Sequence, residues 1–129
     1  MTDQMNDDEL IYLAGPYTHA RAEVRLARFE SLTRAAAMLV RMGRIVYSPI
    51  TMTHPIDLVL AGESATLGSS FWVTFDERFM RCCTEMIVLR LQGWELSSGV
   101  AREIKFFKSQ NLPIRFIDPD GEEVPDVPI

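Results

Sequence analysis

The apolar positions of this chain fall into short continuous runs, separated by longer stretches with helical spacing. Leu10-Ile-Tyr-Leu-Ala14 is the first run and stops at Gly15-Pro16, as a buried strand does. From about Arg21 to Met42 there is neither Gly nor Pro. Leu26, Phe29, Leu32, Ala36, Leu39 and Val40 recur there at helical spacing, which predicts a long helix with those residues as its buried stripe. Gly43 supplies its stop. Ile45-Val-Tyr47, closed by Ser48-Pro49, predicts a second strand. Residues 50–69 carry His54-Pro55 and two glycines and predict an irregular segment. Phe71–Cys83 predicts a helix with Phe71, Phe75 and Phe79 as its core stripe. Met86-Ile-Val-Leu89 predicts a third strand. Gln92–Ser98 is a loop opening a helix in which Val100, Ile104 and Phe107 share a face. Pro113-Ile-Arg-Phe-Ile117 predicts a fourth strand, followed by the Asp118-Pro-Asp-Gly121 turn and a short fifth strand near Glu123-Val124.

Strands that are apolar throughout, alternating with helices, predict a parallel sheet covered on both faces. With right-handed crossovers the fold class is α/β, a three-layer sandwich with a flavodoxin/Rossmann-like parallel sheet of four to five strands. A chain of 129 residues is sized for one domain. The expected division is a disordered acidic tail at 1–9, the α/β domain at 10–118, and a C-terminal turn and tail at 119–129. No apolar run approaches the roughly 18 residues of a membrane span, and Met1–Glu9 is too polar for a signal peptide. The expected setting is soluble and cytoplasmic.

Charge refines this picture. The net charge is −5, but the two ends hold nine acids and no Lys or Arg. Residues 10–117 hold all 13 basic residues against nine acids, a balance of +4. Acidic ends around a mildly basic body disfavour a partner such as a nucleic-acid polymer and permit a small anionic ligand; solvated ends on a neutral domain are the plainer alternative. Cys82 and Cys83 are adjacent, which suits neither a disulfide nor a zinc site, so a structural thiol pair at a helix end is expected. No metal or other cofactor is expected.

In open parallel sheets, ligands bind beyond the carboxyl ends of the strands, where the connections diverge. The segments Gly15–Arg21, Ser48–His54 and Gln92–Gly99 should therefore converge on one crevice. Ser97 or Ser98 can cap the following helix and leave backbone N–H groups facing a ligand, while Gly99 permits close approach. Glu103 lies one turn further in, where the helix dipole favours its ionised form; it reads either as a positioned carboxylate for displacement at a sugar carbon or as an ordinary dipole complement. Trp72 and Asp76, four apart, share a helix face. Trp72 would stack a flat base, and Asp76, with its pKa raised by partial burial, would donate a proton; alternatively Asp76 pairs with Arg78 or Arg81. Tyr12, buried in the first strand, needs a partner for its hydroxyl, either a carboxylate at the strand tip or a backbone group. Arg21 is a candidate phosphate ligand or a solvated side chain, and His19 and His54 are ligand groups or loop structure. Gly15-Pro16 is neither a GxGxxG nor a Walker A loop.

Taken in order, Ile11-Tyr-Leu-Ala-Gly-Pro-Tyr17, Val46-Tyr-Ser-Pro49, the Asp76 helix, the Ile87-Val-Leu strand and Ser97-x-Gly-x-x-x-Glu103 resemble the nucleoside 2-deoxyribosyltransferase superfamily. The resemblance covers most of residues 10–117 and is closest to a bacterial and phage branch with a GPY loop, a Ser-Pro-Ile…His-Pro segment and Gly93-Trp94. It implies a Glu nucleophile at Glu103, oriented by Tyr12 and assisted at the base by Asp76. The candidate ligand contacts are Gly15, Tyr17, Arg21, His54, Trp72, Trp94, Ser97, Ser98 and Gly99. The superfamily includes base-exchanging transferases and hydrolases of nucleoside 5′-monophosphates. The transferases tend to carry Asp where this chain has Ser97, and an Asp would repel a phosphate. Two features depart from the pattern: an Arg/Gly-rich phosphate loop is replaced by Pro16-Tyr-Thr-His-Ala-Arg21, and a Cys-Asp motif reads Cys83-Thr84. The expected function is an N-glycosidase on a nucleoside 5′-monophosphate. A deoxyribosyltransferase and a noncatalytic nucleotide-binding protein are the alternatives. The resemblance also implies a homodimer or homotetramer.

Overall fold

The computed structural model describes residues 8–60, 63–120 and 123–124. Strand β1 (Ile11–Ala14) leads into helix α1 (Ala22–Arg41), β2 (Val46–Tyr47), α2 (Pro49–Leu60), α3 (Ser64–Leu67) and α4 (Ser69–Met80). Strand β3 (Glu85–Leu89), a 3-10 turn at Trp94–Leu96, α5 (Ser98–Ser109), β4 (Ile114–Ile117) and β5 (Glu123–Val124) follow. The sheet order is β2-β1-β3-β4-β5, with the first four strands parallel and β5 antiparallel to β4. This is the expected α/β three-layer sandwich in flavodoxin-like order.

Strand alternation divides the core. Ile11, Leu13, Ile87 and Leu89 pack on one face with Leu32, Ala35 and Leu39 of α1. Tyr12, Ala14, Met86 and Val88 pack on the other with Val100, Ile104 and Phe107 of α5. Tyr12 is thereby aimed at α5.

Helix α1 ends as its glycine predicts. Gly43 has φ +86, its N–H donates to the Val40 carbonyl, and the Arg44 N–H donates to that of Leu39. That pair of bonds is the Schellman closure, which uses carbonyls the helix itself cannot satisfy. The buried face of α1 is narrower than expected. Leu26 and Val40 are exposed, since the face that meets the sheet runs along Leu32, Ala35 and Leu39.

The larger difference lies at 50–69. Instead of an irregular segment, Pro49–Leu60 forms α2 with Pro55 inside it. Pro49 stands in the first turn, where a missing N–H costs nothing. The backbone bond lost at Pro55 is offset by packing: Ile50 joins the α1-side core and His54 stacks on Phe29 of α1. Helix α4 also differs. Met80 is its buried residue, Phe71 is exposed, and Phe75 and Phe79 are half-buried, with Phe79 stacked on Tyr47 at 4.4 Å.

Cys82 is exposed and Cys83 buried, and both are free. Of the 1–9 tail, residues 1–7 lie outside the described residues, while Glu9 pairs with Arg44 at 2.8 Å. Most of the 119–129 tail also lies outside them. Among the described residues no helix is long and apolar enough to cross a membrane.

Candidate functional site

From β1 the chain crosses to β2 on one side, and from β3 it crosses to β4 on the other. The loops leaving β1 and β3 therefore part, and an open sheet of this order keeps its crevice there. A cavity of about 1180 Å³ occupies the place, walled by the loops after β1 and β3 and by α1, α2, α4 and the start of α5.

Glu103 is delivered by helix periodicity. Val100, Glu103, Ile104 and Phe107 are the buried face of α5, so the carboxylate projects among apolar side chains at the cavity wall. It is 8% exposed, and the Tyr12 hydroxyl donates to its Oε2 at 2.9 Å. Burial, and after it the neighbouring Asp76 charge, push the Glu103 pKa up to about 8, against the opposing pulls of the Tyr12 bond and Arg102. This reverses the sequence expectation of an ionised Glu103: loss of hydration outweighs the helix dipole, whose effect is about a kcal/mol.

Asp76 lines the same cavity from α4. Its ionic partner is neither Arg78 nor Arg81 but Arg102 of α5, at 3.9 Å, while Arg81 pairs with Glu77. Burial raises the Asp76 pKa to about 6, with Arg102 pulling it down. Burial and the two acids hold Tyr12 well above the usual tyrosine range, so it remains a proton donor to Glu103. The site thus has two interacting carboxyls that titrate on either side of neutrality.

Ser97 caps α5, its Oγ accepting from the Val100 N–H at 3.2 Å. The amides of Ser98 and Gly99 stand in the helix's first turn, where no preceding turn supplies acceptors. All three residues line the cavity, and a Cβ at Gly99 would meet nothing nearer than Ser97 Oγ, at 3.8 Å.

Gly15, Tyr17, His19 and Trp72 also line it. Gly15 has a packing role as well, because a Cβ there would lie 2.9 Å from Leu32 Cδ2. Three expected ligand residues are placed elsewhere. Arg21 is exposed and pairs with Glu23, since it precedes the first turn of α1 and faces solvent. Trp94 is buried with its ring 5.5 Å from Phe116, as part of the core rather than a platform for a base. His54 is 3% exposed and sits behind Tyr17.

The structure adds groups that sequence reasoning passed over. Arg28 lines the cavity and joins its two loops, donating to the carbonyls of Thr18 at 3.0 Å and Gln92 at 3.2 Å. Gly93 leaves room for it: its φ is +89, and a Cβ would lie 3.0 Å from Arg28 Nη2. Arg102 and Asp57 line the cavity too. Only for Arg102 was there a local signal, its place beside Glu103 on the helix that opens the site. Among the described residues no cluster of three or more His, Cys, Asp or Glu is arranged to hold a metal ion.

A family model described as a domain of unknown function (DUF1937) matches residues 9–118, so the chain belongs to that family. No curated protein matches the sequence.

Proposed function

We propose that this member of the DUF1937 family cleaves the N-glycosidic bond of a nucleoside 5′-monophosphate. The observation that carries the reading is the carboxyl pair: Glu103 is held by Tyr12 at the cavity wall, and Asp76 is near enough to raise its pKa. With values of about 8 and about 6, the pair keeps one proton near neutral pH. Glu103, with the higher value, holds that proton at rest. The reactive form is the minor one, in which the proton has passed to Asp76 and left Glu103 as the carboxylate. Glu103 then forms a bond to C1′ as the C1′–N bond breaks, and the departing base takes the bonding electrons and the Asp76 proton. Water attacks C1′ of the glycosyl-enzyme, gives a proton to Asp76, and frees Glu103 and the sugar phosphate.

The phosphate is assigned to the amides of Ser98 and Gly99 with Arg28 as the cation, in place of Arg21. A helix N-terminus and a guanidinium are the usual partners of such a dianion. The base is assigned to the Trp72 side of the cavity. The resemblance of Ser97-x-Gly-x-x-x-Glu103 to the nucleoside 2-deoxyribosyltransferase superfamily supports the same reaction class.

Incubation with ribo- and deoxyribonucleoside 5′-monophosphates tests the proposal through release of free base. Glu103→Ala is expected to lower that rate at least about a thousandfold. Equal rates for the two proteins, or no release by either, sink it. Formation of a new nucleoside when a second base is supplied would make the enzyme a transferase instead.

A further inference from the structure

At the same cavity, three side chains are tied together. The Tyr17 hydroxyl lies 2.7 Å from His54 Nδ1 and 3.4 Å from Asp57 Oδ2. His54 and Asp57 are three apart on α2 and so share a helix face. Tyr17 and Asp57 line the cavity, whereas His54 stands behind them. The imidazole is fixed by stacking on Phe29, at a centroid distance of 4.4 Å, and by an edge contact with the Tyr17 ring.

His54 Nε2 is buried and has no hydrogen-bond partner among the described residues. A neutral imidazole has one N–H. On Nε2 it would be stranded, while on Nδ1 it is used in the 2.7 Å bond, so the network assigns it to Nδ1. His54 therefore donates to the Tyr17 oxygen, and the tyrosine proton must turn away from it. The acceptor in reach is Asp57, but 3.4 Å is long for a hydroxyl–carboxylate bond, so a better-placed acceptor in the cavity would capture the proton. Asp57 lines the cavity, and a carboxyl group carries lone pairs on both oxygens and so can accept more than one hydrogen bond. The wall thus presents one donor beside one acceptor.

We propose that Tyr17 and Asp57 read the polar edge of a heterocyclic base, Tyr17 donating to a ring nitrogen or carbonyl and Asp57 accepting from an adjacent N–H, with His54 as the positioning residue that aims the Tyr17 hydroxyl. This rests on the proposed function for the identity of the ligand. The edges of purines and pyrimidines carry an acceptor and a donor side by side and so complement this pair. A sugar hydroxyl, the other polar group of such a ligand, needs no such matched order.

Calorimetric titration of the full chain with adenine, guanine, cytosine and uracil, and separately with ribose 5-phosphate, reads the wall without turnover. At least one base is expected to bind, with Tyr17→Phe and Asp57→Asn each weakening it about tenfold and leaving ribose 5-phosphate unchanged. His54→Phe keeps the stack on Phe29 and removes the orphaned nitrogen. It is expected to weaken base binding in the same direction while Tm stays level or rises; a merely structural histidine would lower Tm and leave affinity alone. The proposal is overturned if no base binds, if base affinity survives both cavity-wall substitutions, or if ribose 5-phosphate weakens equally. Nucleotide cleavage with KM unchanged in Tyr17→Phe and Asp57→Asn would defeat the wall and leave the glycosidase. Wall-dependent base binding with no cleavage of any nucleotide would do the reverse.

Discussion

The Tyr12 hydroxyl donates to Glu103 Oε2 at 2.9 Å, a buried bond joining residues 91 apart in sequence. One end stands on β1 and the other on α5, and the alternation of one strand meets the periodicity of one helix there. The bond stabilises the charged form of Glu103 against burial. In Tyr12→Phe the ring keeps its neighbours Tyr47 and Phe107, and the Glu103 pKa should rise from about 8 by roughly one unit. Carbon-detected NMR of the glutamate carboxyls reads the shift. An unmoved titration would mean the bond does not govern the acid.

Glu103 makes stability fall as pH rises. Its pKa in the folded chain, about 8, lies above the ordinary glutamate value of 4.5, so the folded state binds the proton more tightly. The associated stability is fully present below about pH 4.5 and is lost as pH climbs through 8. Asp76 acts in the same sense between the ordinary aspartate value of 3.8 and about 6. Denaturant unfolding at pH 5 and pH 8.5 should therefore find the chain more stable at the lower pH, by an amount on the order of a few kcal/mol. Glu103→Gln should remove most of the slope.

If Glu103 must be ionised while Asp76 is protonated, base release follows a bell with limbs near pH 6 and pH 8. Below the first limb no carboxylate is available, and above the second no acid remains. Asp76→Asn removes the charge that raises Glu103, so the surviving activity should titrate at a lower pKa than the wild-type alkaline limb. A profile flat from pH 5 to 9 would be incompatible with the carboxyl pair.

Arg28 is assigned to the phosphate and also ties Thr18 to Gln92. Arg28→Met keeps the aliphatic stem and removes the charge. The expected result is about a tenfold loss of affinity for a nucleoside 5′-monophosphate, with little change for the matching nucleoside. Equal losses for both would assign Arg28 to loop architecture alone.

At the amino ends of the strands, Arg44 bridges Glu9 at 2.8 Å and Glu85 at 3.1 Å, and Glu85 is 6% exposed. Arg115, at 3.5 Å, would be the remaining cation on that buried carboxylate. Arg44→Met should cost roughly 2–3 kcal/mol of unfolding free energy while the affinity for any cavity ligand stays as it was, which denaturant melts and titration would check together.

Much of the fold was legible because period and punctuation are local properties. Apolar runs ending at Gly15-Pro16 and Ser48-Pro49, the glycine at 43 and the Val100/Ile104/Phe107 spacing each report on a few neighbouring residues. Helix α2 was not legible, since Pro55 argues against a helix locally while the offsetting contacts, Ile50 in the core and His54 on Phe29, come from elsewhere in the chain. The same limit separated Arg21 from Arg28. Both are cations near a strand end, and only the rotation of α1 decides which one faces the cavity.

The sequence by itself determined the succession of the strands and of helices α1, α4 and α5, the parallel sheet, and the loops after β1 and β3 that meet beyond its carboxyl ends, because hydrophobic periodicity and chain-breaking residues act over one or two turns. Tertiary structure alone decided that Glu103 is buried enough to hold its proton, that Asp76 answers to Arg102, and that Trp94 is core while His54 stands behind Tyr17. Desolvation and charge coupling depend on distances between residues far apart in the chain, and only packing sets those distances.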